Sequence, residues 1–199
     1  MINIIEILLQ KEKYKLIQTD KTIIIFKGNS DTYPEDYIEI EKATDIDKFV
    51  VSEVHRDKKQ IKVETEKEEE AIIYAVVVYK RLYDDIVDRI KARKIRNLLD
   101  AGEEKKALDS IFNSFDVSLF SINHEDDLKI SLIHSQNKVD VKFGGEYLAE
   151  GATLSRGYVV LYNYCEKLKH ISSFYKEMCK KIDCSIHLEN ILKMYILGK

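Results

Sequence analysis

The stretch IKVETEKEEEAIIYAVVVYKRLYDDI (residues 61–86) decides how the chain is read, because its apolar run IIYAVVVY (residues 72–79) suits a buried strand or a buried helix. Thr65 and Glu68 place a hydroxyl and, three positions on, a carboxylate, the capping-box pattern, so a helix is predicted to begin near Glu66. From there Ile72, Ala75, Val76, Tyr79, Leu82, Tyr83, Ile86 and Ile90 recur with the helical period. Strict alternation fails at Ile72-Ile73 and at Val76-Val77-Val78, which excludes a half-buried strand. The helix is predicted against the lowered propensity of its β-branched residues. Apolar residues nearly encircle its first two turns, so that end should lie deep between other elements, with Tyr74, Tyr79 and Tyr83 as packing residues.

Upstream, Ile4, Ile5, Leu8 and Leu9 share one stripe of a short helix. YKLIQTDKTIIIFKG (residues 14–28) reads as two strands around a polar Thr19-Asp20-Lys21 loop, and Gly28 closes the second. NSDTYPEDYIEIEKATDIDK (residues 29–48) contains the only proline, Pro34, and a brief alternation at residues 37–41, read as a loop carrying an edge strand. FVVSEVHRDKKQIKVET (residues 49–65) adds two strands with their turn at residues 56–59. Together these predict a meandering antiparallel sheet of four or five strands.

Downstream, the helical pattern continues to Phe115, with Gly102 a break between two helices. DVSLFSINHEDDLKISLIHSQNKVDVKFGG (residues 116–145) predicts three antiparallel strands, followed by a long helix through residues 158–175 and a last helix over residues 185–197. The fold class expected is α+β, antiparallel sheets packed on long helices, with two units divided at residues 101/102. VHRDKKQIKVE can be laid on IHSQNKVDVKF, and IIYAVVVYKRLYD on GYVVLYNYCEKLK, so a loosely repeated helix-strands-helix unit is an open expectation.

Composition narrows function by exclusion. With 32 Lys+Arg against 35 Asp+Glu, the formal charge of -3 does not propose a nucleic-acid binder. The N-terminal MINIIEILLQ has no basic region or cleavage site, and its apolar run is too short for a membrane span, so a cytoplasmic protein is expected. The 3 cysteines, Cys165, Cys179 and Cys184, are expected to be reduced. His170, Cys179, Cys184 and His187 match no zinc spacing, and no metal or cofactor is predicted. His55, His124 and His134 fall at strand ends or turns, and no nucleophile motif, P-loop or Rossmann glycine pattern occurs; Gly144-Gly145 ends a strand. No catalytic residue is expected and the chain is not read as an enzyme. RIKARKIR (residues 89–96) could offer Arg89, Arg93 and Arg96 to phosphates or an acidic partner, but reads first as a solvated helix exterior.

The acidic, aromatic segment at residues 31–41 is the candidate partner-binding surface, with Tyr33, Glu35, Asp36, Tyr37, Glu39 and Glu41. Tyrosine supplies contact area at low entropic cost and carboxylates steer encounter with a basic protein. A charged sheet edge that only blocks aggregation accounts for the same residues. YKLIQTDKTIIIFKG and VETEKEEEAIIYAVVVYKRLYDDI, a strand pair and a capped, tyrosine-rich helix, resemble the immunity proteins of bacterial polymorphic-toxin systems. That resemblance implies a small cytoplasmic α+β protein that occludes the active surface of a cognate toxin domain, with no catalytic residues. The alternative is a secretion-chaperone-like binding protein for an effector.

Overall fold

The computed structural model describes residues 2–10, 12–28, 34–43, 47–182 and 184–199. Its elements run α1 (Ile2–Leu9), β1 (Lys15–Gln18), β2 (Thr22–Phe26), β3 (Asp36–Ala43), β4 (Lys48–His55), β5 (Lys58–Thr65), α2 (Glu68–Tyr83), α3 (Arg89–Asp100), α4 (Glu104–Phe112), β6 (Phe120–Ile122), β7 (Ile130–Ser135), β8 (Lys138–Phe143), β9 (Glu146–Ala152), α5 (Leu154–Met178) and α6 (Leu188–Leu197). This is an α+β fold with two sheets, as the periodicities predict. No helix among the described residues is long and apolar enough to cross a membrane.

Two compact units form: Met1–Asp84 with Phe174–Lys199, and Asp85–Ser173. The division therefore falls at the end of α2, not at the residue 101/102 boundary read from the sequence, and the last helix returns to the first unit. The cause lies in α2. From Ala71 to Lys80 every residue except Tyr74 is buried, so the helix needs cover on more than its sheet face.

In the first unit, β1 to β5 make an antiparallel meander in sequential order. Ile23, Ile25, Ile38, Ile40 and Val51 share the face on which α2 lies, and α1 and α6 pack on α2 as well. Ile5, Leu8 and Leu9 of α1 and Ile191, Leu192 and Tyr195 of α6 bury there. The helix forms in spite of its β-branched residues for an energetic reason. Ile72, Ile73, Val76, Val77 and Val78 together cost at most roughly 3 kcal/mol in propensity, whereas burying them contributes roughly 10 kcal/mol.

The start of α2 differs from the expected capping box. Lys67 is its N-cap and makes no side-chain cap bond. Thr65, the last residue of β5, accepts from the Lys67 backbone N–H at 3.2 Å and donates to Glu70 Oε2 at 2.9 Å. The strand thus runs into the residue read as the cap, and the carboxylate that answers Thr65 sits five positions on.

A lysine is buried in this unit. Lys80, with 5% of its side chain exposed, places Nζ 2.9 Å from Glu12 and 3.0 Å from Asp84, and 5.2 Å from the centre of the Phe174 ring. Two carboxylates and an aromatic face replace the water that a buried ammonium loses. The phenol of Tyr195 is pushed up, first by burial and then by Asp84 and Glu12.

The second unit holds α3, α4 and the sheet β6-β7-β8-β9, with residues 154–173 of α5. The pair β6 and β7 is parallel, contrary to the antiparallel expectation. Because β6 has only 3 residues, residues 123–129 can span it on the way back. The return is tied by Ser121 Oγ, which donates to His124 O at 2.8 Å and is hydrogen-bonded to the Ser131 hydroxyl at 2.9 Å. The all-antiparallel first sheet and this mixed one do not share a topology, which removes the repeat.

At Gly157 α5 lies close against the second sheet: a Cβ there would lie 2.0 Å from Val139 Cγ2 and 3.3 Å from Val139 Cβ. Gly157→Ala should therefore destabilise the protein by about 1–3 kcal/mol through overpacking, although alanine is the better helix former. Denaturant unfolding should also show Val139→Ala recovering part of that loss. Lys80→Ala should cost about 3–5 kcal/mol in the same measurement, since it leaves Asp84 buried without its cation.

Candidate protein-binding surface

Of the residues singled out in the acidic segment, Tyr33 lies outside the described residues, and the others fall on or beside β3. That strand is not an edge. It pairs with β2 on one side and with β4 along its whole length on the other. An acid-rich strand can occupy the sheet interior because alternation separates its two sets of side chains. Ile38 and Ile40 go to the α2 side and are buried, while Tyr37, Glu39 and Glu41 go to the opposite face.

On that opposite face the register carries the partners in from β4 and β5. Tyr37 stands beside Val54, Glu39 beside Ser52 and Glu41 beside Val50. Val54 in turn is paired with Lys59, and Ser52 with Ile61. Lys59 Nζ bonds Glu39 Oε1 and lies 2.6 Å from Glu41 Oε2, so one ammonium holds both carboxylates. Burial would lower the Lys59 pKa, but its hydrogen bonds to the two glutamates outweigh that and leave it raised. Ile61, 57% exposed, is an apolar side chain next to this cluster.

Glu35 and Asp36 do not join the cluster. Asp36 opens β3 opposite His55, and its Oδ1 meets His55 Nδ1. Glu35 pairs with Arg56 at 3.4 Å and accepts from its backbone N–H at 2.8 Å. Arg56 and Asp57, both at positive φ, form a two-residue hairpin turn between His55 and Lys58, shorter than the turn read at residues 56–59. Each of the four carboxylates at Glu35, Asp36, Glu39 and Glu41 therefore has a basic partner, and the surface is a matched set of charges instead of a bare acidic patch.

On the α2 side of the same hairpin, an irregularity in the β4–β5 register at Val51/Ser52 leaves Lys62 turned inward. Glu53 Oε2 receives Lys62 at 3.1 Å and Arg81 at 3.3 Å. Lys62 also donates to the Gly198 carbonyl at 3.3 Å, so cations meet the C-terminal end of α6, where the helix dipole favours them. The nearby depression lined by Asp36, Glu53, Val54, His55, Leu82 and Tyr83 has a volume of about 100 Å³, below the roughly 300 Å³ at which small-molecule pockets begin. Tyr83 closes it, donating to Asp36 O at 2.8 Å, with its phenol raised to about 12 by burial and by Asp36.

The remaining candidates are placed as follows. Among the described residues no group of three or more His, Cys, Asp or Glu side chains could hold a metal ion. Cys165 is buried, Cys179 exposed, and all three cysteines are free thiols. His134 sits between Asn123 Oδ1, 2.8 Å from its Nδ1, and Glu104 Oε1, 3.4 Å from its Nε2. Tyr158 donates to that same Glu104 oxygen at 2.9 Å, which makes these residues a structural polar set. Lys59 and Ile61 were absent from the sequence-level site because only the β4–β5 register brings them across to β3.

No family model matches the chain, no curated protein matches it, and no solved structure matches it.

Lys59→Met should lower stability at neutral pH by at most about 1 kcal/mol, because the ammonium is more than a third exposed and screened. Since folding raises the Lys59 pKa, this contribution is whole below the ordinary value of 10.5 and fades as pH rises through the folded value. Paired denaturation curves of the two proteins should therefore converge above that pH.

Proposed function

We propose that the chain is a protein-binding inhibitor of the immunity type, which neutralises a partner protein by covering its active surface without chemistry of its own. Its docking face is the side of β3, β4 and β5 turned away from α2. The observation that carries this is the state of that face before any partner arrives. Lys59 already holds Glu39 and Glu41, Tyr37 stands on the same strand, and Ile61 is exposed beside them. Charges fixed on a rigid sheet lose little freedom on binding, and an apolar side chain at their margin supplies an anchor.

The partner fitted by this face presents apolar surface to Ile61 and Tyr37, with polar groups that match the Lys59 cluster. A matched charge set aligns a complex more than it strengthens it, so affinity is expected to rest on the apolar and aromatic contacts.

The tagged full chain should capture one protein from its host, and that protein, expressed alone, should arrest growth. Co-expression of the chain should restore growth. Ile61→Asp should weaken the purified complex at least about tenfold with unchanged thermal unfolding. A captured protein that does not inhibit growth, or a complex untouched by Ile61→Asp and Tyr37→Ala together, rejects the proposal.

A further inference from the structure

The second unit carries a basic surface that the inhibitor reading does not use. On α3, Ala92, Ile95 and Leu99 are buried, while Arg89, Lys91, Arg93, Lys94 and Arg96 are exposed. Asp85 and Asp88, the two acids nearest before the helix, are already committed. Asp85 pairs with Arg89 at 3.2 Å, and Asp88 is the N-cap, accepting from the Ile90 and Lys91 backbone N–H groups at 3.0 Å each. No ion pair forms at Lys91, Arg93, Lys94 or Arg96 among the described residues.

Stability alone does not account for this arrangement. Beyond the N-cap Asp88 no acid lies in the first turn of α3, where the helix dipole favours negative charge, and Arg89 and Lys91 stand there. Lys91 with Lys94, and Arg93 with Arg96, are like charges at i, i+3, which repel. Ile90, in the same run, is 84% exposed. The like-charge spacing and the exposed Ile90 have no compensation among the described residues, and where local rules are broken in this way a ligand outside the fold is the physical candidate.

From these observations we infer that the exposed face of α3 docks an acidic protein segment, one that presents carboxylates to Lys91, Arg93, Lys94 and Arg96 and an apolar side chain to Ile90. The exposed isoleucine selects this partner over a nucleic acid. Phosphate contacts use cations and hydrogen-bond donors, and an aliphatic side chain gains nothing from them, whereas arginine around an apolar centre is a feature of protein interfaces. The three buried anchors hold the helix, so the cations need no ordering as a group before binding. This surface belongs to the second unit, and its test does not depend on the sheet face of the first.

The test uses the full chain with a fluorescent peptide of repeated Glu-Glu-Leu and, in parallel, a fluorescent DNA duplex, followed by anisotropy at low and high salt. The peptide should bind more tightly than the duplex, and salt should weaken it. Arg93→Glu/Lys94→Glu should raise its Kd at least about tenfold, and Ile90→Ser should raise it several-fold. Arg93→Gln/Lys94→Gln serves as the neutral pair if charge reversal disturbs the helix, with circular dichroism as the control. Absence of peptide binding, equal binding by the substituted chains, or tighter binding of the duplex overturns the inference. A chain substituted at Ile61 that loses its partner yet still binds the peptide separates the two surfaces.

Discussion

Burial of α2 on all sides is the constraint on which the first unit depends. The helix is built from β-branched residues that weaken it in isolation, so it exists because β2 to β5 cover one side and α1 and α6 cover others. That demand explains why the chain ends back in the unit where it began. It also explains the buried Lys80. A lysine on a helix with no free face must find its counter-charges inside, and Glu12 from the segment after α1 and Asp84 at the helix end supply them. The ion set therefore ties the N-terminal segment to the far end of α2, linking residues distant in sequence through one ammonium.

The same balance of burial and charge explains the acidic strand. β3 can lie in the middle of a sheet because its isoleucines satisfy one face and Lys59 neutralises the other. The outcome is a face whose charges are organised before binding. α3 stands in contrast, since its Lys91, Arg93, Lys94 and Arg96 have no such answering groups among the described residues. One surface is a closed charge set with an apolar margin, the other an open basic set around an exposed isoleucine.

Much of the architecture was legible because periodicity reports directly on burial. The strand pairs at residues 14–28 and 49–65 appear where the sequence places them, whereas the helical period read from residue 72 to Ile90 holds only to Tyr83: α2 stops there, and Ile90 lies exposed on the next helix. What was misread has specific causes. β3 looked like an edge because a polar strand next to proline resembles one, and only pairing on both sides shows otherwise. Thr65 looked like a cap because the motif is local, while the strand it belongs to is held by Phe49 across the sheet. The parallel β6–β7 pair was hidden by its connection, short enough to pass for a hairpin turn. Within the candidate site, Glu39 and Glu41 were visible as a pattern, but their partner on β5 was not.

What the sequence by itself determined is the α+β class and most of the elements, β9 and the break after Tyr83 excepted, because hydrophobic period and turn residues are encoded within a few residues of where they act. Only the tertiary structure decided the rest: the division at Asp84/Asp85, the return of α6, the central place of β3, the charge set around Lys59 and the unanswered cations of α3. The physical reason is shared by all of these. Each depends on which side chains meet across large sequence separations, and a charge is neutralised or left open only by what the fold brings within a few ångströms of it.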